Sequence, residues 1–151
     1  MNKLLQLSFI PRSTDFALLV LRLWLGLTLF FNHGLSKLLH FSQTAAYFAN
    51  GHLDPIGIGA SGTVALAALA EVLCAALLVV GFATRFAALV IVIELAVAFF
   101  CVHHAALAMG PGSGELAFVY LAGFVTIVLA GGGRFVVCNK SNDVSTPTAS
   151  A

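Results

Sequence analysis

Four long apolar runs, broken only by short polar or glycine-rich connections, constrain this chain more than any other feature. A run of about 18 or more apolar residues with few charges reads as a transmembrane helix, because only a helix satisfies its own backbone hydrogen bonds inside hydrocarbon. Composition agrees: 60% of the 151 residues are apolar and 9% are charged, against roughly 45–50% and about 25% in a soluble domain. A soluble globular fold is excluded. Seven Lys plus Arg balance six Asp plus Glu to leave +1, so no basic footprint for nucleic acid exists and no nucleic-acid partner is expected.

The runs predict an all-α, polytopic membrane protein, a four-transmembrane-helix bundle within the lipid bilayer. Span one is read from Phe16 to Leu39, with Ser13 or Thr14 as N-cap and Asp15 near the positive helix end. Span two follows from Gly62 to Ala83, span three from Phe86 to His104 and span four from Glu115 to Ala130, where Gly131-Gly132-Gly133 stops it. Ser113 is read as the N-cap of span four. His40 to Ser61 is the longest connection, with Asn50-Gly51, Asp54-Pro55, Gly57 and Gly59 as turn signals. Gly81 to Arg85 permits only a tight reversal, so spans two and three are neighbours, and the alanines of span two suit a central helix.

Three parts result: residues 1–15 as an interfacial or cytoplasmic N-terminal segment, 16–134 as the membrane domain, and 135–151 as a cytoplasmic, disordered tail. Met1 to Ile10 is too short an apolar stretch, and lacks the cleavage site, for a secretory signal. Lys3, Arg12, Arg85, Arg134 and Lys140 fall on one side of a four-span arrangement and Lys37 on the other, which predicts cytoplasmic N- and C-termini. Cys74, Cys101 and Cys138 show neither CxxC nor zinc-ligand spacing, so no disulfide framework and no metal site are expected. No internal repeat supports an inverted-repeat transporter.

Arg22, Glu71 and Glu94 lie inside the apolar spans, where each costs about 2.5–3.5 kcal/mol at a helix centre. Arg22, Gly26, Leu29, His33 and Lys37 form one stripe of span one, which must face the bundle interior. Counting about 1.5 Å per residue from the cytoplasmic ends separates two groups. Arg22 with Glu94 and Glu71 lies deeper, and a structural ion pair is expected between Arg22 and Glu94. His33, Lys37, His103 or His104, and Glu115 lie at the outer mouth. At most one of the adjacent histidines shares the interior, and His104 is nearer Glu94 in angle. His33, Lys37, Glu71, His104 and Glu115 are therefore the candidate polar site, able to relay protons or to hold an anionic or quinone-like carbonyl group. The same residues also suit a purely structural role as interhelical hydrogen-bond glue.

With these residues in place the chain resembles the DoxX family of small four-helix membrane proteins. The likeness rests on Leu21-Arg22-Leu23 with Gly26, His33-Gly34 and Lys37-Leu38; on Glu71 followed by Gly81-Phe82-Ala83-Thr84-Arg85-Phe86-Ala87-Ala88; on His103; and on Gly114-Glu115-Leu116-Ala117 with Tyr120-Leu121. After span four the family tends to read GPGRxSLD, whereas this chain reads Gly131-Gly132-Gly133-Arg134-Phe135-Val136-Val137-Cys138. The resemblance implies a multi-pass protein of the inner (plasma) membrane. It also implies links to quinone-dependent, oxidative-stress or sulfur-compound redox complexes, since the family is named for a subunit of a thiosulfate:quinone oxidoreductase. No haem, flavin or iron-sulfur motif occurs, so no intrinsic cofactor is expected and quinone is the ligand suggested. The resemblance thus implies an accessory subunit of an oxidoreductase rather than a stand-alone enzyme, with redox-enzyme subunits or a second copy as partners. The alternatives are a small-solute or proton transporter and an assembly protein without a site.

Overall fold

The computed structural model describes residues 13–107 and 113–137. Their regular elements are all helices, and no strand occurs among them. Helix α1 runs Thr14–Leu39, α2 Phe41–Asn50, α3 Ala60–Val80, α4 Thr84–Val102 and α5 Glu115–Ala130. Helices α1, α3 and α4, of 26, 21 and 19 residues, are long and apolar enough to cross a membrane. Helix α5 has 16 residues, about 24 Å at 1.5 Å per residue, and is the shorter apolar helix.

Each helix starts and stops where its residues dictate. Ser13 caps α1, its Oγ accepting the Phe16 N–H at 3.2 Å, which satisfies one of the four orphan amides of a helix N-terminus. Helix α3 ends at Gly81 in the left-handed region, φ 84°. The Phe82 N–H then reaches back to the Leu77 carbonyl at 2.9 Å, the Schellman closure that glycine permits without Cβ strain. At α5 the cap position is Gly114, and Ser113 Oγ accepts from the Glu115 N–H.

The expected connection from His40 to Ser61 is not all turn. His40 alone leaves helical geometry, at φ −112° and ψ 33°, and α2 then forms because residues 41–50 contain neither Gly nor Pro. Beyond it, Asp54 gathers the turns. Its Oδ1 accepts from the Ile58 N–H and the Thr63 hydroxyl, and its Oδ2 from the Gly59 N–H at 2.8 Å. These bonds, chiefly that from Gly59, hold the Asp54 carboxyl below the usual carboxylate range.

Helices α1, α3, α4 and α5 pack as a closed ring in which α1 touches α3 and α5, and α4 touches α3 and α5. Ala68, Ala75, Ala87 and Ala88 are fully buried beside Leu29, Leu78, Ile91, Phe124 and Ile127. Small residues at the contacts let backbones approach, the main source of helix association where lipid is as apolar as Leu. Trp24, Phe31, Leu69, Phe86, Ile93, Phe100 and Leu129 point outward, the inverse of a soluble pattern and what a lipid-facing surface requires.

Residues 1–12, 108–112 and 138–151 lie outside the described residues. The readings of an interfacial segment over residues 1–12, of a disordered tail from residue 138 on, and of the charges on Lys3, Arg12 and Lys140 lie there too, whereas residues 14–15 open α1 and residues 135–137, assigned to the tail, are described.

Candidate functional site

Helices α1 and α3 run antiparallel and meet most closely at Gly34. A Cβ there would lie 2.8 Å from Val72 Cγ2, 3.0 Å from Val72 N and 3.2 Å from the Glu71 carbonyl carbon, so only glycine allows the approach. Lys37 stands one turn beyond Gly34 and so reaches Glu71, its Nζ donating to Glu71 Oε1 at 2.6 Å. Glu94 Oε1, from α4, lies 3.9 Å from the same ammonium. The level match has a simple origin: Glu71 lies ten residues before Gly81 and Glu94 ten residues after Thr84. Both carboxyls therefore sit about 15 Å from the α3–α4 reversal, near mid-depth of the bundle.

One ammonium thus faces two carboxyls, and the cluster is electroneutral only when one carboxyl holds its proton. The Lys37 side chain keeps 23% of its accessibility, Glu94 15% and Glu71 3%. Oε2 of Glu71 and Oε2 of Glu94 are buried without a hydrogen-bond partner among the described residues. Buried polar atoms are otherwise nearly always paired, so these two oxygens are free to accept from, or carry a proton to, a further group.

Each long helix carries a π-helical stretch beside the cluster: Phe30–Leu35 in α1, Ala70–Cys74 in α3 and Ala98–Val102 in α4. Such turns are rare in ordinary helices and frequent at functional sites. The first holds His33, the second Glu71 and the third follows Glu94 by one turn. His33 is half-buried and sets its ring edge-to-face on Tyr120 of α5, 5.6 Å between centroids and 85° between planes, which ties α5 to the same level.

Of the residues expected at the site, the structure joins Lys37 and Glu71 directly and adds Glu94. His33 lines the neighbouring contact with Tyr120. His104 does not take part: α4 ends at Val102, and His104 is exposed in the following turn at φ 50°. The angular extrapolation that favoured it assumed two more helical residues. Glu115 is exposed at the start of α5, and no ion pair joins it to Lys37 among the described residues.

The expected Arg22–Glu94 ion pair is also absent. Arg22 is buried beside Gly81 at the opposite end of the bundle. Its Nη1 donates to the Gly132 carbonyl at 3.2 Å and its Nη2 to the Phe135 carbonyl at 2.7 Å, closing the chain after α5 over that end. The Val137 N–H donates to the Gly81 carbonyl and the Arg134 N–H to Asp15 Oδ1, completing the closure. Measuring depth from Phe16 misplaced Arg22, because α1 extends several residues past the α3–α4 reversal. The signal for Glu94 was present in the sequence, as its equal spacing with Glu71 about the reversal.

The DoxX family model matches residues 17–104, more than half of the chain. The chain belongs to the DoxX family. In this DoxX protein the match takes in α1 to α4 with Arg22, His33, Lys37, Glu71 and Glu94, and it ends before α5 and Glu115. No curated protein and no solved structure matches the chain. Membership together with three candidate spans makes it a multi-pass membrane protein.

Proposed function

We propose that this DoxX protein is a four-span subunit of a quinone-linked redox complex in the inner (plasma) membrane, exchanging protons through Lys37, Glu71 and Glu94. The two unpartnered buried carboxyl oxygens, Glu71 Oε2 and Glu94 Oε2, carry this reading. Intramembrane ionisable residues are costly, and those that persist at mid-depth commonly mark proton paths or ligand sites. The donor set fits a quinone headgroup: Lys37 can donate to a carbonyl-type oxygen while a protonated glutamate supplies the proton. Quinone, when bound, supplies the redox chemistry, and a partner redox subunit supplies the electrons. Glu71 and Glu94 give up and retake protons at Oε2, and Lys37 holds the negative charge left behind.

Arg85 and Arg134 stand at the end closed by Arg22, and Lys37 toward the other. That asymmetry supports a cytoplasmic face at the Arg22 end, with both termini there when α5 is counted as a fourth span. The test is quinone reduction in membranes holding the chain with its native partners. Glu71→Gln and Glu94→Gln are each expected to lower the rate about 100-fold, the smaller end of a general acid–base contribution, with protein level unchanged. Unchanged rates in both variants overturn the proposal.

A proton or small-solute transporter using the same residues is the second reading, favoured by the π-helical turns that flank the cluster on all three long helices. It predicts flux in vesicles holding only this purified chain and needs no partner. An assembly role predicts that both glutamine variants alter stability alone.

A further inference from the structure

The outward face of α1 carries a group that hydrocarbon cannot satisfy. Asn32 is exposed and lies ten residues from Arg22, about 15 Å above it. It sits two residues before Gly34, the contact point with Glu71 and Val72. It is thus at the level of the carboxyl pair yet on the outside of the ring. Its side-chain amide makes no hydrogen bond among the described residues. Two threonine hydroxyls at or near the lipid surface do find partners: Thr28 Oγ1 donates to the Trp24 carbonyl at 2.7 Å and Thr126 Oγ1 to the Ala122 carbonyl at 2.9 Å. A hydroxyl can fold back onto the preceding turn in this way. A carboxamide, with two donor hydrogens and an acceptor oxygen, leaves several valences open, and each unsatisfied group in the bilayer core costs several kcal/mol.

We infer that a second copy of this chain covers the Asn32 face, forming a two-fold dimer in the membrane. The amide argues for this occupant over others because it is self-complementary. Across a two-fold axis the oxygen of one Asn32 accepts from the amide nitrogen of the other and the reciprocal bond forms as well, so an isologous contact satisfies both copies at once. Thr28 and Ser36 lie four residues to either side. Their small side chains let two α1 backbones approach, and the exposed Ser36 hydroxyl adds a second polar group that makes no side-chain bond among the described residues. Neither Lys37 nor the two glutamates enter this contact, so the inference stands or falls independently of the proton-exchange reading.

The test uses the full-length chain, carrying donor or acceptor fluorophores at its terminus, in phosphatidylcholine–phosphatidylglycerol vesicles over a range of protein-to-lipid ratios. The wild-type chain is expected to show energy transfer that saturates as a dimer. Asn32→Leu is expected to need about tenfold more protein per lipid for half-saturation, which corresponds to about 1.4 kcal/mol and to two interhelical bonds of the usual strength. Asn32→Gln keeps the carboxamide and should recover most of the association. Because leucine suits lipid better than asparagine, Asn32→Leu should keep wild-type helicity by circular dichroism, so loss of transfer cannot be laid to unfolding. Transfer in Asn32→Leu equal to wild type overturns the inference. So does a wild-type chain that stays single at every density, which would assign the face to a different protein.

Discussion

Removing Lys37 and removing Glu71 should have unequal effects, although the two share one short ion pair. Lys37→Met leaves Glu71 and Glu94 together with no cation. In wild type the ammonium serves both, at 2.6 Å and 3.9 Å. Hydrogen bonds to charged groups contribute about 1.5–3 kcal/mol net, and stranding a buried partner costs about 3–5 kcal/mol. Lys37→Met should therefore cost about 3–5 kcal/mol, unless a proton taken up by the second carboxyl offsets part of it. Glu71→Gln keeps an amide oxygen for Lys37 to donate to, and leaves the ammonium beside Glu94, so about 1–2 kcal/mol is expected. In the double variant the two losses should fall short of their sum by about 1–2 kcal/mol, since residues in contact are not additive. The assay is reversible unfolding of the purified full-length chain by sodium dodecyl sulfate in mixed micelles. Glutamine costing as much as methionine, or an additive double variant, would refute the account of one ammonium held between two carboxyls.

Two further outcomes test the ends of the bundle. Arg22→Gln removes the donors to the Gly132 and Phe135 carbonyls and should cost about 1–3 kcal/mol, while raising protease cleavage between residues 131 and 137 in membranes opened from the Arg22 side; unchanged cleavage contradicts the closure. Asp54 has its folded pKa below the ordinary value, so its bonds are fully present above the ordinary carboxylate range and lost as pH falls through the lowered pKa. Amide exchange at Ile58 and Gly59 should accelerate on acidification over that range, and Asp54→Asn should abolish the pH dependence; equal acid sensitivity in the variant assigns it elsewhere.

Much of the helix plan was legible because hydrophobic length and glycine punctuation are local properties of the chain. The apolar run read as a fourth span, Glu115 to Ala130, is a helix with those bounds, and the Ser13 cap forms as its side chain predicts. Helix α2 was less visible, since ten residues of mixed polarity announce neither a span nor a turn. The site was legible in part. Lys37 and Glu71 could be named as candidates from the cost of placing charge in hydrocarbon, but the same cost said nothing of which partner each would find.

By itself the sequence determined that this is a multi-pass helical membrane protein, where its apolar runs begin and end, and which ionisable residues the bilayer must tolerate. Tertiary structure alone decided the pairing. The offset of α1 past the α3–α4 reversal moved Arg22 out of reach of Glu94 and onto the carbonyls after α5, and the contact at Gly34 delivered Lys37 to the two carboxyls. Hydropathy is a sum over neighbours in the chain, whereas an ion pair depends on the relative height of two helices to within a few ångströms, and that height is set by how small residues let them pack.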